Sequence, residues 1–516
     1  MSESDTHFDF IVVGGGTNGL TAAAYLGKEG YSTLVIEAKT YLGGGAVTKE
    51  LTLPGFKHDL FATSLNIWRA SSIQDELELG KYGLQVVDPD PVASTPFKSG
   101  KSITIFRDLN STLRSISKFS QRDALKFKEI YDFYLESKDI LLGGLSSPPL
   151  QPSEMMSALE ESDTGLDFLQ FSYLSARDWL EENFESEEMK AFMSIWGSNH
   201  LSLSPEDAGS ALIVLIFVGI LQDKGAGVPI GGMSSVVESM RRYIEAHRGR
   251  IVTGDEVLEI IVDGGRAAGV KTNSGKIFRS RRGVISNIEP KALFSKLVPD
   301  SAVPEDFRKK VRRFRFSKVS EVMIHAALDS WLDYKPEETR LSGMVQIGES
   351  LDEVSRAYND CVIGLPPSEP FMTIDNTTCY DSTRTPQGKH ILWNFVRAPL
   401  FVKGRPWNEE QREAFADRCI ERLCEYAPNV KRIILKRVVL SPQDIEQLNP
   451  NLVNGDAGCG KATIDQSLAL RPFPRWSQYR TPVKGLYMCS GATHPGGGVS
   501  GLPGHNAALV AIQDQS

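Results

Sequence analysis

The stretch FDFIVVGGGTNGLTAAAYLGKEGYSTLVIE, residues 8–37, decides the fold of this chain. Residues 8–13 are mostly apolar and rich in β-branched side chains, which is typical of a strand buried on both faces of a parallel sheet. A glycine turn follows, then a helical pattern from about Thr17 to Lys28 and a second short strand over residues 33–36. This order of elements predicts an α/β protein with a parallel sheet.

The glycine turn fits the pattern G-x-G-x-x-G with Gly14, Gly16 and Gly19. The first glycine permits a tight turn, the second lets the backbone approach a pyrophosphate, and the third lets the helix pack on the strand. The helix that follows directs its free N–H groups and positive dipole end towards the phosphates. The pattern therefore predicts a dinucleotide site; the alternative is a packing turn without a ligand.

An acidic residue, Glu37, ends the second strand 18 residues beyond Gly19. This is about where the motif needs an acceptor for the hydroxyl pair of an adenosine ribose. A carboxylate there repels a 2′-phosphate, so the adenosine of FAD or NAD is favoured over that of NADP.

The composition is that of a globular enzyme with two or three domains: 516 residues, 41% hydrophobic and 24% charged. A net charge of −8 offers no basic surface for nucleic acid. The six cysteines include no C-x-x-C pair, so the sequence predicts no zinc or other metal site and no redox dithiol. Reduced cysteines and a polar N-terminus that runs straight into the first strand lead us to expect a cytoplasmic protein.

Further along the chain, residues 211–221 are strongly apolar but too few to span a bilayer. We expect a buried helix or a tunnel wall there, with membrane contact as the alternative. Residues 250–286 read as strands that rejoin the first sheet, and residues 314–328 as a long strand of a second region. Basic and apolar residues alternate over 312–318, which predicts a strand with one solvated face.

Two more glycine clusters accompany the first. Residues 43–45 lie in a segment without regular pattern, where either a close approach to a ligand or a flexible loop is expected. Residues 485–513 read as a strand, a long glycine loop from Ser490 to Gly504, and a helix from Asn506 onward. Three such elements exceed the needs of a nicotinamide site and favour a larger dinucleotide, FAD.

The segments GGGTNGLTAAAYL, EAKTYLGGGAVT, GGMSSVVESM and GLYMCSGATHPGGGVSGLPGHNAA resemble those of the phytoene-desaturase-like FAD oxidoreductases of the flavin amine oxidase group. Within them the chain resembles the branch of pyridine nucleotide-disulphide oxidoreductase domain 2 proteins and carotene ketolases. The resemblance implies a split Rossmann-like FAD-binding domain, residues 1–75, 225–295 and 455–516. An inserted α+β substrate domain would comprise residues 76–224 and 296–454.

The resemblance also implies which residues contact FAD, from the adenosine end through the pyrophosphate to the flavin ring. They are Gly14, Gly16, Thr17, Asn18, Gly19, Glu37, Ala38, Lys39, Gly44, Gly45, Ala46, Val47, Val257, Gly491, Ala492, Gly498 and Val499. Many relatives have Arg after the paired glycines of the second element and an acid after Gly491. This chain has Gly45 with Ala46 in the first place, as is usual in this branch. In the second place it has Ala492, so backbone N–H groups would have to replace a side-chain bond to the ribityl or phosphate groups.

Candidate catalytic residues are histidines near the expected flavin ring. His494 and His505 lie in or beside the C-terminal glycine loop, and His200, next to Asn199, comes from the substrate domain. Such a side chain could take the proton that an alcohol or amine must lose. The alternatives are an exposed residue before a helix for His505 and a hydrogen-bonded loop histidine for His200. Tyr380, Trp393 and Trp476 could line a pocket or belong to the core.

We therefore expect an FAD-dependent oxidoreductase that dehydrogenates a hydrophobic small molecule by hydride transfer to flavin N5. The rival within enzymes is a carotenoid or polyene desaturase, ketolase or isomerase, and the rival of another class is a flavin-binding scaffold without turnover. Oxygen, a quinone or another protein could reoxidise the flavin. Peripheral membrane contact is compatible with the sequence, which does not specify the oligomeric state.

Overall fold

The computed structural model describes residues 6–516. Residues 1–5, most of the polar lead-in that the sequence predicts, lie outside the described residues. The strands are β1 (His7–Val13), β2 (Thr33–Glu37), β3 (Thr48–Glu50), β4 (Lys57–Asp59), β5 (Val86–Val87), β6 (Ala93–Pro96), β7 (Ser102–Ile105), β8 (Val228–Pro229), β9 (Gly249–Thr253), β10 (Val257–Asp263), β11 (Arg266–Thr272), β12 (Ile277–Ser286), β13 (Val319–Leu328), β14 (Met344–Ile347), β15 (Met372–Asp375), β16 (His390–Pro399), β17 (Ile434–Leu440) and β18 (Leu486–Met488).

Helices connect and cover these strands. They are α1 (Thr17–Lys28), α2 (Asn66–Ala70), α3 (Ile73–Glu76), α4 (Leu109–Ser117), α5 (Gln121–Leu145), α6 (Pro152–Glu160), α7 (Asp163–Tyr173), α8 (Ala176–Asn183), α9 (Glu187–Leu201), α10 (Ser210–Lys224), α11 (Met233–Ala246), α12 (Pro290–Ala292), α13 (Glu305–Arg313), α14 (Glu337–Leu341), α15 (Leu351–Val362), α16 (Glu409–Cys424), α17 (Val430–Ile433), α18 (Pro442–Leu448) and α19 (Leu502–Gln513).

The first sheet has a parallel centre built from distant parts of the chain. Strand β1 pairs in parallel with β2 on one side and with β12 on the other. Strand β9 adds in parallel to β2, and β18 adds in parallel to the C-terminal half of β12. The antiparallel hairpin β10–β11 joins the N-terminal half of β12. The carboxyl ends of β1, β2, β12 and β18 therefore meet at one edge, where open α/β sheets bind ligands.

Helices α1, α11 and α19 cover one face of this sheet and bury its side chains in a common core. The approach of α19 to α1 is close enough that a Cβ on Gly504 would overlap the carbonyl oxygen of Asn18. A Cβ on Gly19 would likewise overlap the carbonyl oxygen of Gly14, which is the packing role that the sequence assigns to the third glycine. The C-terminal helix is thus held against the N-terminal one by backbone contact.

The second sheet has the order β17-β13-β16-β15-β14-β6-β7 and is largely antiparallel. One face packs against α16 and α17, with Val322 and Ile324 in that core. The opposite face carries Glu321 and Met323 and is directed towards a cavity. A separate helical block, α5 and α7–α10, packs beside β6 and β7. Groups of strands from the two sheets alternate along the chain, since β1–β2, β9–β12 and β18 belong to the first sheet and β6–β7 and β13–β17 to the second. The boundaries of the two predicted domains stay a prediction.

The segment 312–318 is not a strand, so that prediction is wrong. Helix α13 continues to Arg313, and strand β13 begins only at Val319. Residues 314–317 between them are neither helix nor strand. Their backbone bonds to side chains instead of a neighbouring strand: Arg315 N donates to Gln466 Oε1 and Ser317 N to Asp456 Oδ2, each at 2.9 Å. The strands expected within residues 276–286 are one continuous strand, β12.

The apolar run at 211–221 lies inside α10, which is almost wholly buried. Its residue Phe217 lines the cavity described below, as expected of a tunnel wall. Over residues 6–516, the structure contains no helix that combines the length and apolar character needed to cross a membrane.

The backbone contact between α1 and α19 predicts a stability difference between two glycine substitutions. Gly504→Ala places a methyl group on the Asn18 carbonyl oxygen and should lower the free energy of unfolding by about 1–3 kcal/mol. The matched control is Gly143→Ala in α5, where a Cβ would meet no atom within 4 Å. It should be neutral or stabilising by up to about 1 kcal/mol. Urea unfolding compares the two, and equal midpoints would contradict the close packing.

Candidate functional site

A long cleft of about 590 Å³ opens along the carboxyl edge of the first sheet. The loops after β1, β2, β12 and β18 all contribute to its walls. Of the residues predicted to contact FAD, those that line this cleft are Gly14, Gly16, Thr17, Asn18, Glu37, Ala38, Lys39, Gly44, Gly45, Val257, Gly491, Gly498 and Val499. The others, Gly19, Ala46, Val47 and Ala492, lie behind this surface, and the last three are buried in the core.

The N-terminus of α1 faces the cleft. Its N-cap residue is Gly16, and within the described chain no side chain caps this helix end. Gly16 also approaches the second glycine element, since a Cβ there would lie 2.9 Å from Nδ2 of Asn287 and 3.6 Å from Cα of Gly44. The free N–H groups of the first helical turn and the dipole of α1 make this end an anion site.

The carboxylate of Glu37 is fixed by the backbone on both sides. Gly15 N donates to Oε2 at 2.7 Å, and Lys39 N donates to Oε1 at 2.8 Å. The two donors hold the carboxylate at the cleft wall, where each oxygen keeps a further lone pair for a hydroxyl donor.

Polar atoms in the cleft fit a ligand with phosphate and hydroxyl groups. Among residues 6–516, Asn18 Oδ1 and Ser490 Oγ are buried without a hydrogen-bond partner, and both residues line the cleft. Such atoms are costly to bury unless a ligand or water satisfies them. Together with the open helix end and the fixed carboxylate, they fit FAD.

The cleft has lining residues that the sequence did not predict. Glu289 and Lys291 follow β12, and Asn451 follows α18. Asn451 holds this loop in place, because its Nδ2 donates to the carbonyl oxygen of Asn287 at 2.6 Å and its Oδ1 accepts from Glu289 N at 3.0 Å. The position of residues 287–291 directly after a strand of the parallel sheet is the signal that could have found them.

A second, apolar cavity of about 150 Å³ adjoins the cleft. The two spaces share the wall residues Phe61, Ala62, Ala457, Gly497, Gly498 and Val499. The second sheet contributes Met323, Trp393 and Phe395 to the apolar cavity, and helices α9 and α10 contribute His200 and Phe217. Residues 497–499 of the third glycine element therefore lie where the long cleft and the small apolar cavity meet.

His200 is the predicted catalytic histidine that lines the apolar cavity. Its ring stacks on Trp196 with centroids 5.2 Å apart and lies 4.8 Å from the ring of Phe217. Burial lowers the pKa of His200 to about 4, and the Arg397 guanidinium acts in the same direction. The imidazole is therefore neutral at neutral pH, and in these surroundings it binds a proton weakly.

His494 and His505 lie outside the walls of both cavities in the described structure. His494 Nε2 lies 2.8 Å from the carbonyl oxygen of Gly144, at the end of α5. His505 is not exposed before a helix as the alternative had it: it lies inside α19, and its ring meets that of Tyr25 edge-on with centroids 4.6 Å apart. A catalytic role for either stays a prediction.

Of the three aromatic residues considered for a pocket, the structure places Trp393 in the wall of the apolar cavity. Tyr380 donates its hydroxyl to the carbonyl oxygen of Leu341, and Trp476 packs edge-on against Phe307.

A buried ion pair lies at the polar end of the apolar cavity. Glu321 lines the cavity, and Arg397 Nη1 donates to its Oε2 at 3.0 Å, with both side chains at most 3% exposed. Arg397 also donates to the carbonyl oxygen of Asn199 near the end of α9. Burial raises the pKa of the Glu321 carboxyl, while Arg397 opposes the rise. Sequence reasoning missed this pair because its members are 76 residues apart.

Comparisons with known proteins identify the family of this chain. The family model described as flavin containing amine oxidoreductase matches residues 19–501. The chain is 30% identical to pyridine nucleotide-disulfide oxidoreductase domain-containing protein 2 of Rattus norvegicus, over 98% of this chain and 94% of that protein. It is 26% identical to a limonene dehydrogenase subunit of Castellaniella defragrans, over 98% and 94%. Further relatives include a phytoene desaturase and prolycopene isomerases.

The fold also has a counterpart among solved structures. An oxidoreductase from Methanosarcina mazei superposes with a TM-score of 0.63 at 19% identity, covering 98% of this chain and 99% of the other. The chain thus belongs to the flavin-containing amine oxidoreductase family and is an FAD-dependent oxidoreductase. The predicted fold class, family resemblance, enzyme class and cofactor are confirmed.

The position of Glu37 predicts its effect on cofactor affinity. Glu37→Gln removes the negative charge and leaves an N–H₂ group facing either Gly15 N or Lys39 N, so the side chain should leave the cleft wall. We expect the Kd for FAD to rise about tenfold or more, the usual worth of hydrogen bonds to a charged group. Flavin fluorescence during reconstitution measures this Kd. The control is Glu29→Gln on the exposed end of α1; equal affinities of the two variants would contradict the role of Glu37.

Proposed function

We propose that the protein dehydrogenates an apolar small molecule that binds in the apolar cavity. The observation that carries this proposal is the wall of residues 497–499, which the apolar cavity shares with the FAD-sized cleft. The two spaces meet at these residues, so a substrate in the small cavity would lie beside the end of the long cleft that residues 497–499 line. Bound FAD would supply the two-electron acceptor, taking a hydride at N5 from a substrate C–H bond.

The protein would hold FAD along the whole cleft. The N-terminus of α1, with Gly14, Gly16, Thr17 and Asn18, would bind the pyrophosphate, and Glu37 the adenosine ribose. Gly44, Gly45 and Gly491 would run beside the ribityl chain, with Ala46, Val47 and Ala492 packed behind them, and Gly498 with Val499 would lie beside the flavin ring. This assignment follows the family resemblance, and the lining of the cleft supports most of its positions.

The size of the apolar cavity supports a small substrate. Its volume of about 150 Å³ compares with the engineered cavity of similar size that holds benzene. The part of the substrate that enters this space is therefore about one ring in size, which favours a small molecule over a whole polyene chain. The relative described as a limonene dehydrogenase subunit supports a small apolar substrate.

Anaerobic mixing with a substrate panel tests the function. The FAD-loaded protein is mixed with apolar alcohols, amines, hydrocarbons and polyenes, and the loss of flavin absorbance is followed. Bleaching by a ring-sized apolar compound is the expected result. Flavin that stays oxidised with every compound would favour a flavin-binding scaffold, and bleaching by polyenes alone would favour the carotenoid-type rival.

A substrate that bleaches the flavin and has an O–H or N–H group must also lose a proton from that group. The cavity walls predict which histidine accepts that proton. His200→Gln should slow bleaching about 10²–10⁴-fold, because a neutral imidazole at the cavity wall is lost. The matched variants His494→Gln and His505→Gln should retain most of the wild-type rate, since both rings lie outside the cavity walls. Stopped-flow absorbance measures the rates. Slow bleaching in the His494 or His505 variant with a normal rate in the His200 variant would place the base in the C-terminal loop.

A further inference from the structure

Some residues in the wall of the apolar cavity have polar atoms that form no hydrogen bond with the rest of the described chain. Within residues 6–516, Asn66 Oδ1, Asn199 Oδ1 and Trp393 Nε1 are buried without a hydrogen-bond partner, and all three residues line this cavity. Buried polar atoms normally have a partner, so three such atoms around one small space indicate a ligand that supplies it.

The chemistry of these atoms specifies the ligand. Trp393 Nε1 is only a donor, and the carbonyl oxygens of the two amides are only acceptors. The amide of Asn199 is oriented by its surroundings, because its Nδ2 donates to Thr373 Oγ1, which leaves Oδ1 as the free acceptor. The wall therefore needs a group that both donates and accepts a hydrogen bond, and a hydroxyl is the smallest group that does so.

The charge at this end of the cavity favours a neutral ligand. Glu321 is already hydrogen-bonded to the buried Arg397 guanidinium, so it is not free to act as the counter-ion of a ligand. A protonated amine would place a second cation in the same buried space without a counter-ion of its own, which is costly in a low-dielectric interior. An alcohol makes the same donated hydrogen bond without a charge.

We propose that the cavity recognises a ring-sized apolar alcohol, whose hydroxyl donates to an amide oxygen and accepts from Trp393 Nε1. The inference rests on the proposed function and names its substrate class. A hydrocarbon of the same shape leaves the wall groups unpaired, and a carbonyl compound pairs only with the donor.

Calorimetric titration of the FAD-loaded protein with benzyl alcohol, toluene and benzylamine tests this recognition without relying on turnover. The first two probes differ by one hydroxyl on the same ring, and the third replaces it with a charged donor. We expect benzyl alcohol to bind at least about tenfold more tightly than toluene, in line with the worth of satisfied buried polar groups. Benzylamine should also bind more weakly than benzyl alcohol.

A conservative variant separates recognition from packing. Trp393→Phe removes the Nε1 donor and keeps an aromatic ring, so the preference for benzyl alcohol over toluene should shrink several-fold while toluene binding is nearly unchanged. The control Trp331→Phe alters a tryptophan that is 40% exposed and outside the cavity wall, and it should keep the wild-type preference.

Three results would overturn the proposal: toluene binding as tightly as benzyl alcohol, benzylamine binding more tightly, or none of the probes binding to the wild-type protein. An unchanged preference in a folded, FAD-loaded Trp393→Phe protein would also overturn it. Flavin absorbance of the same samples under anaerobic conditions reports on the proposed function separately. If benzyl alcohol binds selectively but the flavin stays oxidised, the proposed recognition of the hydroxyl stands. That result would count against dehydrogenation of this probe.

Discussion

The parallel pairing of β1 with β12 is the constraint on which the site depends. It joins residues 10–13 to residues 283–286, and β18 then pairs with the same stretch of β12 from the other end of the chain. Because all three strands run in one direction, their carboxyl ends lie together. The glycine turn at 14–16, Asn287 and residues 490–491 thus reach one cleft, although some 475 residues separate its first and last elements.

The second sheet is held over this cleft by buried charges. Arg384, which follows β15, pairs with Asp381 at 3.0 Å and with Asp59 at the end of β4. Asp59 in turn accepts a hydrogen bond of 2.9 Å from Met233 N at the start of α11, beside the first sheet. All three charged side chains are fully or almost fully buried, so loss of one partner would strand a charge, at a cost of about 3–5 kcal/mol. This network links the segment between β15 and β16 of the second sheet to β4 and to the start of α11.

Local sterics made the dinucleotide end predictable from sequence. The motif requires three glycines where the backbone turns or packs closely, and an acid at the end of the next strand. These requirements appear in the sequence as a fixed spacing of Gly14, Gly16, Gly19 and Glu37. The strand predicted over 312–318 failed because alternation does not show whether a segment pairs with another strand, and here the backbone of Arg315 and Ser317 bonds to the side chains of Gln466 and Asp456. The apolar cavity was harder to predict, because its polar end depends on the register of β13 with β16, which sets Glu321 opposite Arg397. His494 lies in the expected loop, yet its ring faces α5, a direction that no sequence spacing encodes.

Hydrogen–deuterium exchange of the FAD-free and FAD-loaded protein tests the central claim most directly, that three glycine elements from opposite ends of the chain form one cofactor cleft. Bound ligand slows exchange where it orders backbone amides. FAD should slow exchange together in residues 14–18, 37–45 and 490–499. Slower exchange in the first two segments alone, with the third unchanged, would contradict the claim.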